Sequence, residues 1–163
     1  IKKFLEVIYK EFEKSFCILH IYAENLYEIK DFKKSVKNLD ISKILFENLF
    51  QDINFLEKIF KEDLNFVIDL QHLLISNSLS KSLNFLRKNK EKILHFHISD
   101  SDGINHLHLP LGNGILPLKK IIEFLRENFD DRTITFEIFL TEIPEIDIEA
   151  SYFLFKKLYY EKS

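Results

Sequence analysis

Six histidines, His20, His72, His95, His97, His106 and His108, lie on or just past segments that read as β-strands, and none falls within a helical pattern. Carboxylates end or flank the same segments: Glu24, Asp69, Asp100 and Glu137. Four of these groups, Glu24, Asp69, His97 and Glu137, stand at successive strand ends. Three carboxylate oxygens and one imidazole form a donor set for a hard or borderline divalent ion such as Mn²⁺, Mg²⁺, Fe²⁺ or Zn²⁺. Any one of them alone reads best as a polar residue at a loop junction. Their recurrence at equivalent positions is what points to metal chemistry.

Strands and helices must alternate to place them so. Residues 1–14 put Ile1, Phe4, Leu5, Ile8 and Phe12 on one helical face. Residues 16–24 alternate as a strand, with Ile18, His20, Tyr22 and Glu24 on one side. The polar stretch 25–40 reads as a long loop, and helical patterns follow at about 41–50 and 53–61. Further strands are expected at 65–69, 93–99 and 132–138, with helices at 79–88, from Pro117 to about 128, and at 147–160. The loop 100–116 holds all three glycines, Gly103, Gly112 and Gly114. The alternating order implies parallel strands joined by helical crossovers. Each strand has one apolar face and one polar face, and the polar residues gather toward its carboxyl end. That is the pattern of a (β/α) barrel of the TIM type rather than of a sheet covered on both sides. A whole eight-stranded barrel takes about 250 residues, so four β/α units in one domain spanning 1–163 are a partial barrel. The chain begins with Ile inside a helical pattern, which leads us to expect the later half of a longer barrel.

Composition excludes several classes. A net charge of −3 offers no electrostatic footprint for nucleic acid or an anionic membrane. No apolar run approaches the ~20 residues of a membrane span, and charges every few residues at the start argue against a signal peptide. The single cysteine, Cys17, forms no internal disulfide and suits a reducing compartment. A cytoplasmic protein is expected.

Several segments together resemble the xylose isomerase-like barrel superfamily, in particular its sugar phosphate isomerase/epimerase branch. AENLYE at 23–28 is similar to its strand-end Glu-Asn segment, IDLQH at 68–72 to its Asp-x-x-His motif, and HFHISDSDG at 95–103 to its His-x-x-Asp motif. HLHLPLGNG at 106–114 is similar to its histidine and glycine loop, and ITFEIF at 134–139 to its last glutamate-bearing strand. The resemblance implies that Glu24, Asp69, His97 and Glu137 bind one divalent metal. It also implies that Glu24 and Glu137 serve as the acid/base pair of an isomerase or epimerase working through an enediolate. His72 would face a sugar or sugar phosphate, or a second metal. His108 matches the family's loop histidine, and His106 stands where the family usually has Asp. Asp100 would orient His97 or the loop. His20 and His95 read as hydrogen-bonded residues lining the barrel. The Gly112-Asn113-Gly114 turn has the backbone amides to cradle a phosphate, although glycine ahead of a helix is commonly turn chemistry.

Two other readings stand beside this one. An endonuclease IV-like zinc AP endonuclease would need a basic DNA-binding face. A non-catalytic truncated barrel would leave two sheet edges unpaired, and a homo-oligomer or a missing N-terminal half is the expected remedy.

Overall fold

The computed structural model describes residues 17–21, 26–35, 42, 44–139 and 142–161. Its framework is a five-stranded sheet: β1 (Cys17–His20), β2 (Ile44–Glu47), β3 (Asn65–Asp69), β4 (Ile93–Ile98) and β5 (Thr133–Phe136). The strands follow one another in chain order, and every pair is parallel. Between them run α1 (Leu26–Ser35), α2 (Ile53–Ile59), α3 (Leu70–Ser76), α4 (Leu79–Lys88) and α5 (Leu118–Asn128), and α6 (Pro144–Tyr160) follows β5. Consecutive parallel strands with a helix in each crossover are the β/α unit of a barrel wall.

Two expectations are corrected. Residues 44–47 form a strand, not part of a helix, and residues 26–35 form a helix, not a loop. The described sheet therefore has five strands where four were expected. Ile44, Leu45, Phe46 and Glu47 are all buried, so this strand has no polar face to produce alternation, and a short buried run reads equally well as helix. In α1 the described apolar side chains at the core are Ile29, buried, and Phe32, packed against it. The charged residues Lys30, Asp31, Lys33 and Lys34 of α1 make the stretch read as a polar loop. The helix expected at residues 1–14 lies outside the described residues.

The core lies between the sheet and the helices. Phe46, Phe66, Ile68, Phe96 and Ile98 point outward from the strands to meet Leu56, Ile59, Phe60, Leu86, Ile122 and Leu125. Phe60 stacks on Phe66 with ring centroids 3.7 Å apart, and Phe96 meets Phe129 edge-on at 5.0 Å. Burying large apolar side chains contributes about 1.5–3 kcal/mol each, so the outer face fixes the sheet. The opposite face carries His20, Glu47, His95, His97, Thr133 and Thr135.

Register then decides which polar groups meet. Asp69 pairs with His97 and His97 with Thr135, while Glu47 pairs one step lower, with Val67. Glu137 follows β5, two residues beyond Thr135. Donors thus climb from β2 to β5, as expected where strands tilt against the axis of a barrel and its mouth cuts obliquely across the registers.

Candidate metal centres

Four donors converge at the carboxyl ends of β2 to β5: Glu47, Asp69, His97 and Glu137 offer ligand atoms within 4.8 Å of one another. His97 Nδ1 lies 2.8 Å from Glu47 Oε1 and 2.8 Å from Glu137 Oε2. A ring nitrogen carries at most one proton. Its hydrogen bond goes to Glu47, and Glu137 Oε2 is left buried without one. Asp69 Oδ2 is likewise buried and unpaired. Unsatisfied buried carboxylate oxygens are costly and rare, and two of them within one four-residue donor set fit a divalent cation as the missing partner. The set also has the chemistry for one, with three oxygen donors and one nitrogen.

The electrostatics agree with that fit. Burial pushes Asp69 well above the usual carboxylate range, even though its bond from the His72 amide opposes the shift. Burial also works against a charged His97, but the two carboxylates 2.8 Å from its Nδ1, Glu137 and Glu47, outweigh it and push the imidazole up to about 10. The nearness of that imidazole holds Glu137 down at about 2. Negative charge is concentrated here and draws a cation, a proton or a metal.

Local structure explains Asp69. It ends β3 and caps α3, with Oδ1 accepting from the His72 amide at 2.7 Å. A carboxylate three residues ahead of the amide it caps is the geometry of a helix N-cap, which is why the Asp-x-x-His spacing works. One oxygen fixes the helix, the other faces the centre, and His72 is delivered by the helix's first turn. Asn48 completes the clamp. Its amide side chain bonds both the N–H and the C=O of Asp69, at 2.8 and 3.1 Å.

A second cluster lies alongside. His72, His106 and His108 also bring ligand atoms within 4.8 Å of one another. His72 Nδ1 is 2.9 Å from the Asn48 carbonyl, and His108 Nδ1 is 3.0 Å from the Glu137 carbonyl. A carbonyl only accepts, so both rings carry their proton on Nδ1 and bare Nε2. Those Nε2 atoms turn toward His106 Nε2, which lies 2.9 Å from His72 Nε2 and in close contact with His108 Nε2. Burial lowers His72 to about 4 and also lowers His108. Neutral imidazoles with converging lone pairs are what a borderline ion such as Zn²⁺ takes. His108 is held in the left-handed region (φ 43°), a strain of about 1–3 kcal/mol that the surrounding loop must sustain.

A family model for the xylose isomerase-like TIM barrel matches residues 21–157. The chain belongs to that family. Among solved structures, this barrel is similar to a D-tagatose 3-epimerase-like protein, with a TM-score of 0.72 and 20% identity over 97% of this chain and 66% of that one. It is also similar to a Thermus thermophilus protein soaked with ZnCl2, with a TM-score of 0.60 and 20% identity over 95% of this chain and 65% of that one. The chain thus spans about two thirds of the length of these neighbours. No curated protein matches it.

The fold unites Asp69, His97 and Glu137, as expected of a single donor set, and it brings His72, His106 and His108 together. Glu24 lies outside the described residues. The glutamate in the described donor set is Glu47, which sequence reasoning missed along with Asn48. A signal was available: Glu-Asn-Leu occurs twice, at 24–26 and at 47–49. Asp100 does not touch His97. It is buried and accepts from the amides of Ser101, Gly112 and Leu116, so its work is to hold the loop. The Gly112-Asn113-Gly114 segment serves as turn chemistry. Its Gly112 amide is spent on Asp100 and its Asn113 amide on Pro110. A Cβ at Gly114 would overlap the Ser101 backbone and the Asp100 carboxylate, so glycine is needed there for close approach. His95 bonds Thr133 and Thr135, at 2.6 and 3.0 Å, as a lining residue does. His20 Nε2 lies 2.9 Å from Glu47 Oε2 and so braces a donor. No described helix is long and apolar enough to cross a membrane.

Proposed function

We propose that this barrel wall belongs to a divalent-metal-dependent isomerase or epimerase acting on a sugar or sugar phosphate. The observation that carries the reading is the pair of buried, unpaired oxygens, Asp69 Oδ2 and Glu137 Oε2, in the donor set that also holds Glu47 and His97. Glu47, Asp69, His97 and Glu137 would hold the ion, whose contribution when bound is to draw electrons from a carbonyl and its neighbouring hydroxyl. A second ion, with zinc the best match to an all-imidazole set, would be held by His72, His106 and His108.

The chain's own residues supply the proton chemistry. The Glu137 side chain is 34% exposed and the Glu47 side chain 1%, so Glu137 is the donor that reaches an incoming substrate. Held ionised by His97, it takes the proton from the carbon next to the carbonyl, leaving the substrate as an enediolate. Glu47, 1% exposed and bonded to His97 and His20, stays with the ion, and a second carboxylate returns the proton from the other face. Return to the same carbon is epimerisation, and return to the neighbouring carbon is isomerisation. Glu24, expected in that second role, keeps it in this proposal.

The test is exchange of the sugar's carbon-bound proton into D2O, followed by NMR with Mn²⁺ present. Exchange should occur with the parent and vanish in Glu137→Gln. Exchange in Glu137→Gln at the parental rate would sink the assignment.

A further inference from the structure

Gln71 lies in the first turn of α3, between Asp69 of the acidic centre and His72 of the imidazole centre. It is fully buried, and a buried amide is kept only with partners. Those partners lie outside α3. Gln71 Oε1 accepts from the Leu107 amide at 3.0 Å, and Nε2 donates to Ser99 Oγ at 2.7 Å and to the Asp100 carbonyl at 3.4 Å. A glutamine amide has two hydrogens and one oxygen to offer, and here each is used. The Leu107 N–H can meet only the oxygen, which settles the way the amide faces. The Asp-x-x-His cap does not need this residue, because it requires only the Asp69 carboxylate and the His72 amide. What Gln71 adds is a tie from the helix to the loop.

The tie falls where it controls two ligands at once. Leu107 stands between His106 and His108. Ser99 Oγ lies 3.1 Å from His108 Nδ1, the nitrogen turned away from the cluster. His108 itself has φ 43°, and a residue other than glycine keeps such a backbone only where its surroundings over-determine it. It is pinned on both sides. Leu109 exchanges two backbone bonds with Asp100, at 2.8 and 2.9 Å, and Leu107 gives its amide to Gln71. The first restraint is main chain on main chain. The second is a single side chain.

The acidic centre is held by other means. Asn48 clamps Asp69, and sheet register sets His97. The side-chain bonds of Gln71 go to none of its four donors.

We infer that Gln71 is the positioning residue that gives this chain its second metal. By tying Leu107 and Ser99 to the turn that carries His72, it holds His106 and His108 within ligand distance of His72. Without it the chain takes one ion, at the acidic centre. The inference rests on the two-centre reading above and deepens it. Gln71 touches no ion itself. An apolar side chain of the same length would leave the Leu107 amide buried without its partner, and His108 would relax out of the left-handed region and carry its Nε2 away from His72.

The experiment counts metal on the whole chain by equilibrium dialysis against Zn²⁺ and, separately, Mn²⁺, with thermal unfolding of the metal-free protein beside it. The parent should hold two zinc ions. Gln71→Met should hold one, its affinity for the second falling about 30-fold or more while Mn²⁺ affinity stays within about twofold. Nitrogen-15 NMR of the metal-free histidine rings adds a readout that a loss of stability would not move. His108 should show its proton on Nδ1 in the parent and a mixture of tautomers in Gln71→Met, with His97 unchanged. Should Gln71→Met fail to fold, two milder variants replace it. Gln71→Glu keeps an oxygen for Leu107 but has no hydrogen for the Asp100 carbonyl, and Ser99→Ala keeps the Leu107 tie alone. Each should weaken the second zinc severalfold and leave Mn²⁺ binding as it was. Two zinc ions at parental affinity in Gln71→Met, or in both milder variants, would overturn the inference and leave the two-centre reading standing. Equal losses of zinc and Mn²⁺ would overturn it too, reducing Gln71 to a packing residue. One zinc ion on the parent would overturn the two-centre reading, and this one with it.

Discussion

The two donor clusters sit side by side yet are built in opposite ways. Glu47, Asp69 and His97 end hydrogen-bonded strands, are buried, and are anionic as a set with Glu137. His72, His106 and His108 come from one helical turn and one long loop; His72 and His108 turn bare Nε2 atoms inward, and His106 is exposed. Strand ends are fixed by the sheet register, whereas the loop must be held by dedicated contacts. Asp100 provides these through three amides, and Gln71 adds a bond to Ser99 at 2.7 Å and one from the Leu107 amide at 3.0 Å. Charge follows the same division. The strand-held centre would attract almost any divalent ion, and the imidazole centre discriminates by ligand type.

Asp69 is the link between them, so its loss should have the largest effect. Asp69→Ala should weaken Mn²⁺ binding by about 100-fold or more and remove an N-cap worth about 1 kcal/mol. Calorimetric titration beside thermal unfolding would check this, and near-parental Mn²⁺ affinity would break the assignment of the acidic centre. His106→Ala separates the two centres. Zinc stoichiometry should fall from two to one per chain while Mn²⁺ affinity holds, and two equivalents retained would dissolve the second centre.

Proton release sharpens the contrast. Without metal, His97 is protonated at pH 7 because its neighbours push it up to about 10. Coordination through Nδ1 must expel that proton, and burial raises Asp69 as well, so Mn²⁺ binding should release at least one proton at pH 7 and tighten as pH rises toward 10. His72, held at about 4, has none to lose at pH 7. Titrations in buffers of different ionisation enthalpy would measure the difference. The same shift bears on folding. A histidine raised above its unfolded value of about 6.5 stabilises the metal-free chain fully below that pH, and the contribution is lost as pH rises through about 10. Urea midpoints at pH 6 and pH 10.5 should differ in that direction. The smallest effect belongs to the loop. Asp100→Asn keeps the shape but drops the charge that gathers three amides, and should cost zinc affinity about tenfold with little change for Mn²⁺. Equal losses at both metals would show that the loop supports both centres.

Much of this was legible in the chain. Asp-x-x-His is a local signal, an N-cap and the amide it holds. The alternation in 93–99 and 132–138 places His97 and Glu137 on the polar face without reference to anything distant. The barrel-type fold follows from strands with one greasy face. Two elements escaped for physical reasons. Strand β2 is buried on both faces and so shows no period of two, and the charged residues of α1 hide its period of 3.6.

What the sequence determined by itself is therefore the set of short-range relations: which residues share a face, which amide is capped, and where chemistry-bearing types gather. Which glutamate faces His97 was a tertiary decision. Glu-Asn-Leu occurs at both 24–26 and 47–49, and nothing local separates the two copies. Glu47 and His97 are 50 residues apart and meet at 2.8 Å, because parallel register across β2, β3 and β4 sets them one step apart on the same face.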